Sequence, residues 1–260
     1  MKPPANPPYS ILYIWDDRTL SFGENRPLSP HLHGAAELAI ALEFPFETVI
    51  DSKTRIETKS LLIPPNVQHK NTHKDPICPI LYLDPEGRDY QLLKASLGQQ
   101  GDFIYDLPFE GRAREILTKI YHDVPKADEC YELIQKLLFG NEKPIRAKID
   151  PRIRAVLSTI HGDYSRNYSI DSLALEVNLS KDRLLHLFKE QIGIPYRKYR
   201  AWARLKQVAK LAFQGNSLTD SAHEAGFADS SHYIKTFHRH FGTQPSEMLF
   251  NRKNLKVIFE

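Results

Sequence analysis

The strongest constraint on this chain is a duplication in its last third. Ala174, Glu176 and Val177 match Ala222, Glu224 and Ala225 at an offset of 48. After one inserted residue, Leu184, Phe188, Gly193 and Pro195 answer to Tyr233, Phe237, Gly242 and, less closely, Pro245. Each copy reads as a short helix, a tight turn at Asn178-Leu179 or Gly226-Phe227, and a second helix, which is the helix-turn-helix arrangement. The flanking segments are helical too, with starts expected at Asp150, Ser169, Ser180, Pro195, Ser217, Asp229 or Ser230, and Pro245. Asp150-Pro151 pairs an N-cap with proline at the first helical position, and Ser217-Leu218-Thr219-Asp220 has capping-box spacing with Asp in place of Glu. Beyond residue 150 the chain reads as helices alone.

Placing residues at 100° intervals tests the second helix of each copy, because one face must pack and the other must reach a DNA groove. Leu184, Leu187 and Phe188 face inward in the first, leaving Asp182, Arg183, His186, Lys189 and Glu190 outward. Tyr233, Thr236, Phe237, His240 and Phe241 face inward in the second, leaving Ser231, His232, Lys235, His238 and Arg239 outward. Such side chains can contact base edges and phosphates. Charge agrees: residues 151–260 hold 17 Lys+Arg against 10 Asp+Glu, whereas residues 1–150 hold 18 against 22. A basic half joined to an acidic one is the footprint of a nucleic-acid-binding domain attached to something with another task. The helix between the copies, about Pro195 to Phe213, carries Arg197, Lys198, Arg200, Arg204, Lys206 and Lys210 and reads as a strut holding the two units apart.

The stretch from Ser169 to Leu249 resembles the DNA-binding domain of AraC/XylS-type transcription regulators. The likeness rests on Leu173-Ala174, Val177-Asn178-Leu179-Ser180, Leu184, Leu187-Phe188-Lys189, Gly193, Tyr199, Arg204-Leu205, Ala222, Ala225-Gly226-Phe227, Tyr233, Phe237, Phe241-Gly242 and Pro245. It implies a seven-helix domain whose two units read adjacent major grooves. Carried over residue by residue, base contacts fall on Asp182, Leu185 and His186 in the first unit and on Ser230, Ser231, His232 and Lys235 in the second. Arg183, Lys189 and Arg239 complete the candidate DNA-binding set, with Lys181, Arg197 and Lys198 as further phosphate contacts. Asp182 and Leu185 depart from the polar or basic residues that some relatives carry, although Leu185 can meet a thymine methyl group. Promoter DNA is the implied partner, with RNA polymerase beyond it.

The first half reads differently. Short apolar runs at Ile11–Trp15, Leu38–Leu42, Thr48–Ile50, Ser60–Ile63 and Ile77–Leu83 alternate with turn signals, which predicts an antiparallel sandwich or small barrel. His31-Leu32-His33, then Glu37, and later His69 look like paired cupin motifs. On a strand His31 and His33 share a side, and a barrel can bring Glu37 and His69 to them. Asn66 stands where cupins usually carry Gly, and His73 where Asn is expected. Three imidazoles and a carboxylate suit zinc, iron, manganese or nickel. The same four residues can instead line the pocket of an organic effector, as sensor domains of the resembled regulators do, and that reading is preferred. From Arg112 the period lengthens into two amphipathic helices, which either cover the barrel or dimerise the protein through Ile134, Leu137 and Leu138.

The expected fold class is α+β: a cupin-like antiparallel β-barrel over residues 1–140, a boundary at 141–149, and an all-α domain with two helix-turn-helix units over 150–260. The absence of a long apolar run or signal sequence, and the presence of only two cysteines, Cys78 and Cys130, predict a cytoplasmic protein with no membrane partner, and the family resemblance implies a protein of bacterial type. The expected function is transcription regulation under the control of a small-molecule effector, without enzymatic activity. The rival is a metal-dependent cupin enzyme fused to a DNA-binding module, resting on His31, His33, Glu37 and His69.

Overall fold

The computed structural model describes residues 10–97, 103–141, 149–249 and 255–259; the expected domain boundary falls almost wholly on 142–148, outside them. Eight strands come first: β1 Ile11–Ile14, β2 Arg18–Glu24, β3 Ala36–Ile40, β4 Phe46–Ile50, β5 Thr54–Thr58, β6 Ser60–Ile63, β7 His69–Thr72 and β8 Ile77–Leu83. Helix α1 (Arg88–Leu97) and strand β9 (Ile104–Tyr105) lead into α2 (Glu110–Asp123) and α3 (Ala127–Phe139). The second half is α4 Pro151–Gly162, α5 Ile170–Glu176, α6 Lys181–Ile192, α7 Tyr196–Phe213, α8 Leu218–Glu224, α9 Ser230–Phe241 and α10 Pro245–Leu249, followed by strand β10, Lys256–Phe259.

The strands form two sheets, ordered β10-β1-β2-β8-β3-β6-β9 and β5-β4-β7. This is the cupin-like roll that the sequence suggests, but its described strands do not close into one hydrogen-bonded barrel. Strand alternation gives the large sheet two faces. Ile11, Tyr13, Leu20, Phe22, Leu38, Ile40, Leu62, Leu81 and Leu83 pack outward onto α1 to α3. Ala39, Leu61 and Ile63 point inward and meet Phe46 of the small sheet. That small sheet covers only part of the inner face, and the helical half covers the rest.

Ile134, Leu137 and Leu138 belong to this first core, all under 5% exposed. Of the two alternatives for these helices, covering the sheet is the one this burial fits, and the three residues are unavailable as dimer contacts because α3 turns its apolar stripe toward its own sheet. A second departure is β10, which pairs parallel with β1, Ile11 opposite Lys256, where the sequence predicts helices alone. Four residues are too short a run to announce a strand without the edge they join.

The helical half follows its sequence signals. Asp150, Ser169, Ser180, Ser217 and Asp229 each accept a backbone N–H two or three residues on, the bond that defines an N-cap. The tight turn of each unit needs a left-handed residue, supplied by Asn178 at φ 54° and by Gly226 at φ 84°. At Gly226 a Cβ would also stand 2.5 Å from the Ser165 carbonyl oxygen, so only glycine fits.

Helix α7 docks the two halves. Trp202 is 4% exposed and packs with Ala35 and Tyr82 of the first domain. Its Nε1–H donates to Asp84 Oδ1 at 2.9 Å, and Lys206 Nζ is paired with Asp84 Oδ2. Lys206 also donates to the Asp16 carbonyl at 2.7 Å, while Tyr199 donates to Glu86 Oε1 at 2.6 Å. A Cβ at position 34 would lie 2.2 Å from Trp202 Cβ, so Gly34 is what permits this approach. Trp202→Ala is expected to destabilise the intact chain by about 3–5 kcal/mol, the range for emptying a large aromatic site. Gly34→Ala should act in the same direction, and denaturant unfolding of both variants measures the effect.

Candidate functional site

The two candidate reading faces lie on α6 and α9. Asp182, Arg183, His186 and Lys189 are exposed on α6, and Leu185 is half-buried against the neighbouring core. On α9 Ser231, His232, Lys235 and Arg239 are exposed and Ser230 is half-buried. Asp229 caps the helix by accepting from the His232 backbone N–H at 2.7 Å, and the His232 ring lies edge-on to Phe227, 5.4 Å between centroids. Of the residues the wheel places inward, Leu184, Leu187, Phe188, Tyr233, Phe237 and His240 are buried, and Thr236 and Phe241 are half-buried. Among the strut's cations, Lys206 and Lys210 pair with Asp84 and Asp16 of the first domain.

The structure brings the four sequence-predicted residues of the first domain together. His31, His33, Glu37 and His69 are 4%, 2%, 1% and 1% exposed. One ligand atom from each lies within 4.8 Å of the others. The cause is local: His31 and His69 form an antiparallel backbone bridge, exchanging N–H···O bonds of 2.9 and 2.8 Å, so their side chains emerge side by side. His33 follows two residues on, and Glu37 sits on the inner face of β3.

Hydrogen bonds orient the rings. His31 Nδ1 lies 2.8 Å from the Ser29 carbonyl oxygen and His69 Nδ1 3.0 Å from that of Val67. Only a protonated Nδ1 can donate there, which leaves each Nε2 as the inward-facing atom. Glu37 Oε2 is 2.8 Å from His33 Nε2 and 3.2 Å from His69 Nε2, and Asn71 donates to Oε1 at 2.6 Å. Among the described residues His33 Nδ1 has no hydrogen-bond partner.

Burial pushes His33 down to about 3, against the pull of Glu37. Burial, joined by His69, also lowers His31. Burial opposes ionisation of Glu37 and of His69 as well, but their mutual attraction outweighs it: Glu37 is held well below the carboxylate range and His69 is raised. The result is one buried carboxylate facing three imidazoles.

One cavity borders this cluster and a second adjoins that cavity. The first, about 470 Å³, is lined by His31, His33, Glu37 and Asn71 from the first domain and by Phe241, Thr243, Glu247 and Met248 from the second. The other, about 790 Å³, shares Ser21, Tyr82, Phe241 and Met248 with it and extends between β1 and β2 and helix α7. Sequence reasoning missed Asn71, which sits on the polar strand β7, and the docking group of Asp84, Glu86, Tyr199 and Trp202. Tyr199 enters the sequence argument only through the family likeness, and nothing in the sequence pairs it with Glu86.

On α9, His240 is 2% exposed, and burial, with Lys198, Arg239 and His31 adding to it, lowers its pKa to about 4. Folded and unfolded values thus bracket a window from about 4 to 6.5, with the folded state binding fewer protons. Above pH 6.5 the ring is neutral in both states and no stability is lost. As pH falls from about 6.5 toward about 4, stability should decline by up to about 3 kcal/mol. Urea midpoints across that range should slope accordingly, and His240→Phe should flatten the slope.

Comparison with known proteins fits this geometry. Residues 173–250 match the model of a helix-turn-helix domain family. The chain is 32% identical over 113 residues to the uncharacterized HTH-type transcriptional regulator YidL of Escherichia coli, covering 43% of this chain and 37% of that protein. It is 30% identical over 145 residues to the arabinose operon regulatory protein of Escherichia coli, covering 53% and 45%. The chain thus spans less than half the length of these curated relatives. Apo ToxT from Vibrio cholerae superposes with a TM-score of 0.64 at 12% identity, over 91% of this chain and 98% of that one. ToxT with bound unsaturated fatty acid gives 0.56 at 13% identity, over 92% and 96%. Two exposed candidate reading faces, a duplicated capped-helix pattern and these matches agree: residues 173–250 form a helix-turn-helix domain, similar in sequence to part of the regulators named above, joined to a sheet domain in the fold that ToxT shares.

Proposed function

We propose that this protein is a sequence-specific DNA-binding transcription regulator controlled by a small-molecule effector held between its two domains. The observation that carries the proposal is a division of surfaces. The candidate reading faces of α6 and α9 are exposed, while Phe241 at the end of α9, with Thr243, Glu247 and Met248 beyond it, forms one wall of the cavity that contains His31, His33, Glu37 and Asn71. A ligand in that cavity touches both the sheet domain and the DNA-binding domain, so its binding energy depends on how they dock. The proposed partner of the helical half is double-stranded promoter DNA. The relatives named above support a regulator rather than an enzyme, and Phe241 lies over His33 with ring centroids 5.4 Å apart.

The four donors also suit a divalent metal. Their ligand atoms converge, His31 and His69 have Nδ1 engaged by backbone carbonyls, and Asn71 holds the free side of the carboxylate. Zinc, nickel or iron would replace the protons shared between Glu37 and the rings, and the site would supply binding energy for folding as well. No helix among the described residues is long and apolar enough to cross a membrane.

DNA binding by the full chain should require two short segments about one helical turn apart, roughly 34 Å. Lys235→Ala should weaken discrimination in one segment by about 1–3 kcal/mol, and His186→Ala should act on the other. Inserting about five base pairs between them places the segments on opposite sides of the duplex. Titration of labelled duplexes at fixed salt measures all three, and unchanged affinity after the insertion would rule out reading by both units.

A further inference from the structure

The segment that bears two of the four donors is bound directly to the last turn of a candidate reading helix. Ser29, whose carbonyl orients His31, donates its own N–H to the Gly242 carbonyl at 3.1 Å. Leu32, which lies between the two histidines, donates its N–H to the Arg239 carbonyl at 3.2 Å. Gly242 is the left-handed C-cap of α9, at φ 68°. A Cβ there would stand 2.4 Å from the Ser29 carbonyl oxygen and 2.9 Å from His31 Nδ1, so segment and helix end are packed without slack. Phe241 adds a ring contact to His33 and another to Tyr82, at 5.4 and 6.4 Å between centroids.

We propose that a divalent metal ion bound by His31, His33, Glu37 and His69 is read out through residues 29–33 by α9, so that metal occupancy changes affinity for the DNA segment this helix contacts. The inference rests on the metal reading of the cluster given above. Coordination fixes the distances among three imidazoles and a carboxylate that are otherwise held by hydrogen bonds alone. His31 and His33 cannot shift without moving Ser29 and Leu32, and both of those backbone groups are tied to α9. The helix is short and capped at both ends, by Asp229 and Gly242, so a displacement of its last turn reaches Lys235 and His232 as a rigid tilt. No hydrogen bond among the described residues joins α6 to residues 29–33, so the response is confined to one half of the DNA site.

The test uses the full chain, stripped with chelator and then loaded with zinc(II) or, separately, nickel(II). Metal stoichiometry is measured together with affinity for a duplex carrying both recognition segments. Loaded and stripped protein should differ in DNA affinity about fivefold or more, the lower end of measured allosteric couplings. Scrambling the segment contacted by α9 should remove the difference, whereas scrambling the other should preserve it. DNA should change metal affinity by the same factor, as linkage requires. His33→Ala should lose both metal and response. Phe241→Leu should keep stoichiometric metal yet weaken the response, because the ring contact with His33 is gone while the backbone ties of Ser29 and Leu32 remain. If that variant fails to fold by circular dichroism, Gly242→Ala separates the same surfaces by steric contact. Equal DNA affinity of stoichiometrically loaded and stripped protein would overturn the coupling and leave the regulator reading intact. Absence of stoichiometric uptake of either ion would overturn the metal site itself, and an unaltered response in Phe241→Leu would overturn the route through α9.

Discussion

A single buried carboxylate organises the junction on which the architecture depends. Asp84 follows directly on β8 and is 2% exposed, and burial lifts its pKa to about 6 against the pull of Lys206. A carboxyl group in that setting is unfavourable unless its oxygens are met by donors. Both are supplied by α7 of the other domain, Trp202 Nε1 on one oxygen and Lys206 Nζ on the other. Ion pairs of this kind add little net stability, but removing one partner strands the other in a low-dielectric site. The sheet domain therefore depends on α7 to satisfy its own core, and α7 depends on Gly34 to come close enough.

This docking explains the rest of the molecule's layout. The small sheet shields Ala39, Leu61 and Ile63 but leaves the inner face near Tyr82 and the histidines uncovered, and α7, α9 and α10 close it. The cavity beside the histidines exists because the two domains meet over the inner face of the sheet without filling it. The cations of α7 divide accordingly: Lys206 and Lys210 neutralise Asp84 and Asp16, while Arg197 remains exposed. Glu37 plays a comparable part in the roll, since its charge faces His69, whose raised pKa favours a cation that would otherwise be buried without a counter-ion.

The helical half was legible because its signals are local. N-caps, the left-handed turn residues Asn178 and Gly226, and an apolar stripe at helical spacing each act within a few residues. The sheet domain was legible in part. Ser60–Ile63 and Ile77–Leu83 are continuous apolar runs and match β6 and β8 residue for residue, whereas His69–Thr72 and Thr54–Thr58 are polar and become strands only because β4 lies between them. The pairing of His31 with His69 could be anticipated from residue type, but Asn71 could not, because its role depends on the register of β7 against β4.

The duplication, the helix boundaries, the outward cations and a set of three histidines and a glutamate able to converge are all written in the chain itself, since they follow from side-chain chemistry at short separations. Where the surfaces go is a matter of packing. Ile134, Leu137 and Leu138 became core because α3 lies on the large sheet, and β10 forms because the open edge of β1 offers unpaired backbone groups to Lys256–Phe259. Tyr199, Trp202 and Lys206 meet Glu86 and Asp84 from 113 to 122 positions away along the chain. No local pattern encodes such a pairing, because the free energy of burying a charge is set by which distant donor arrives to meet it.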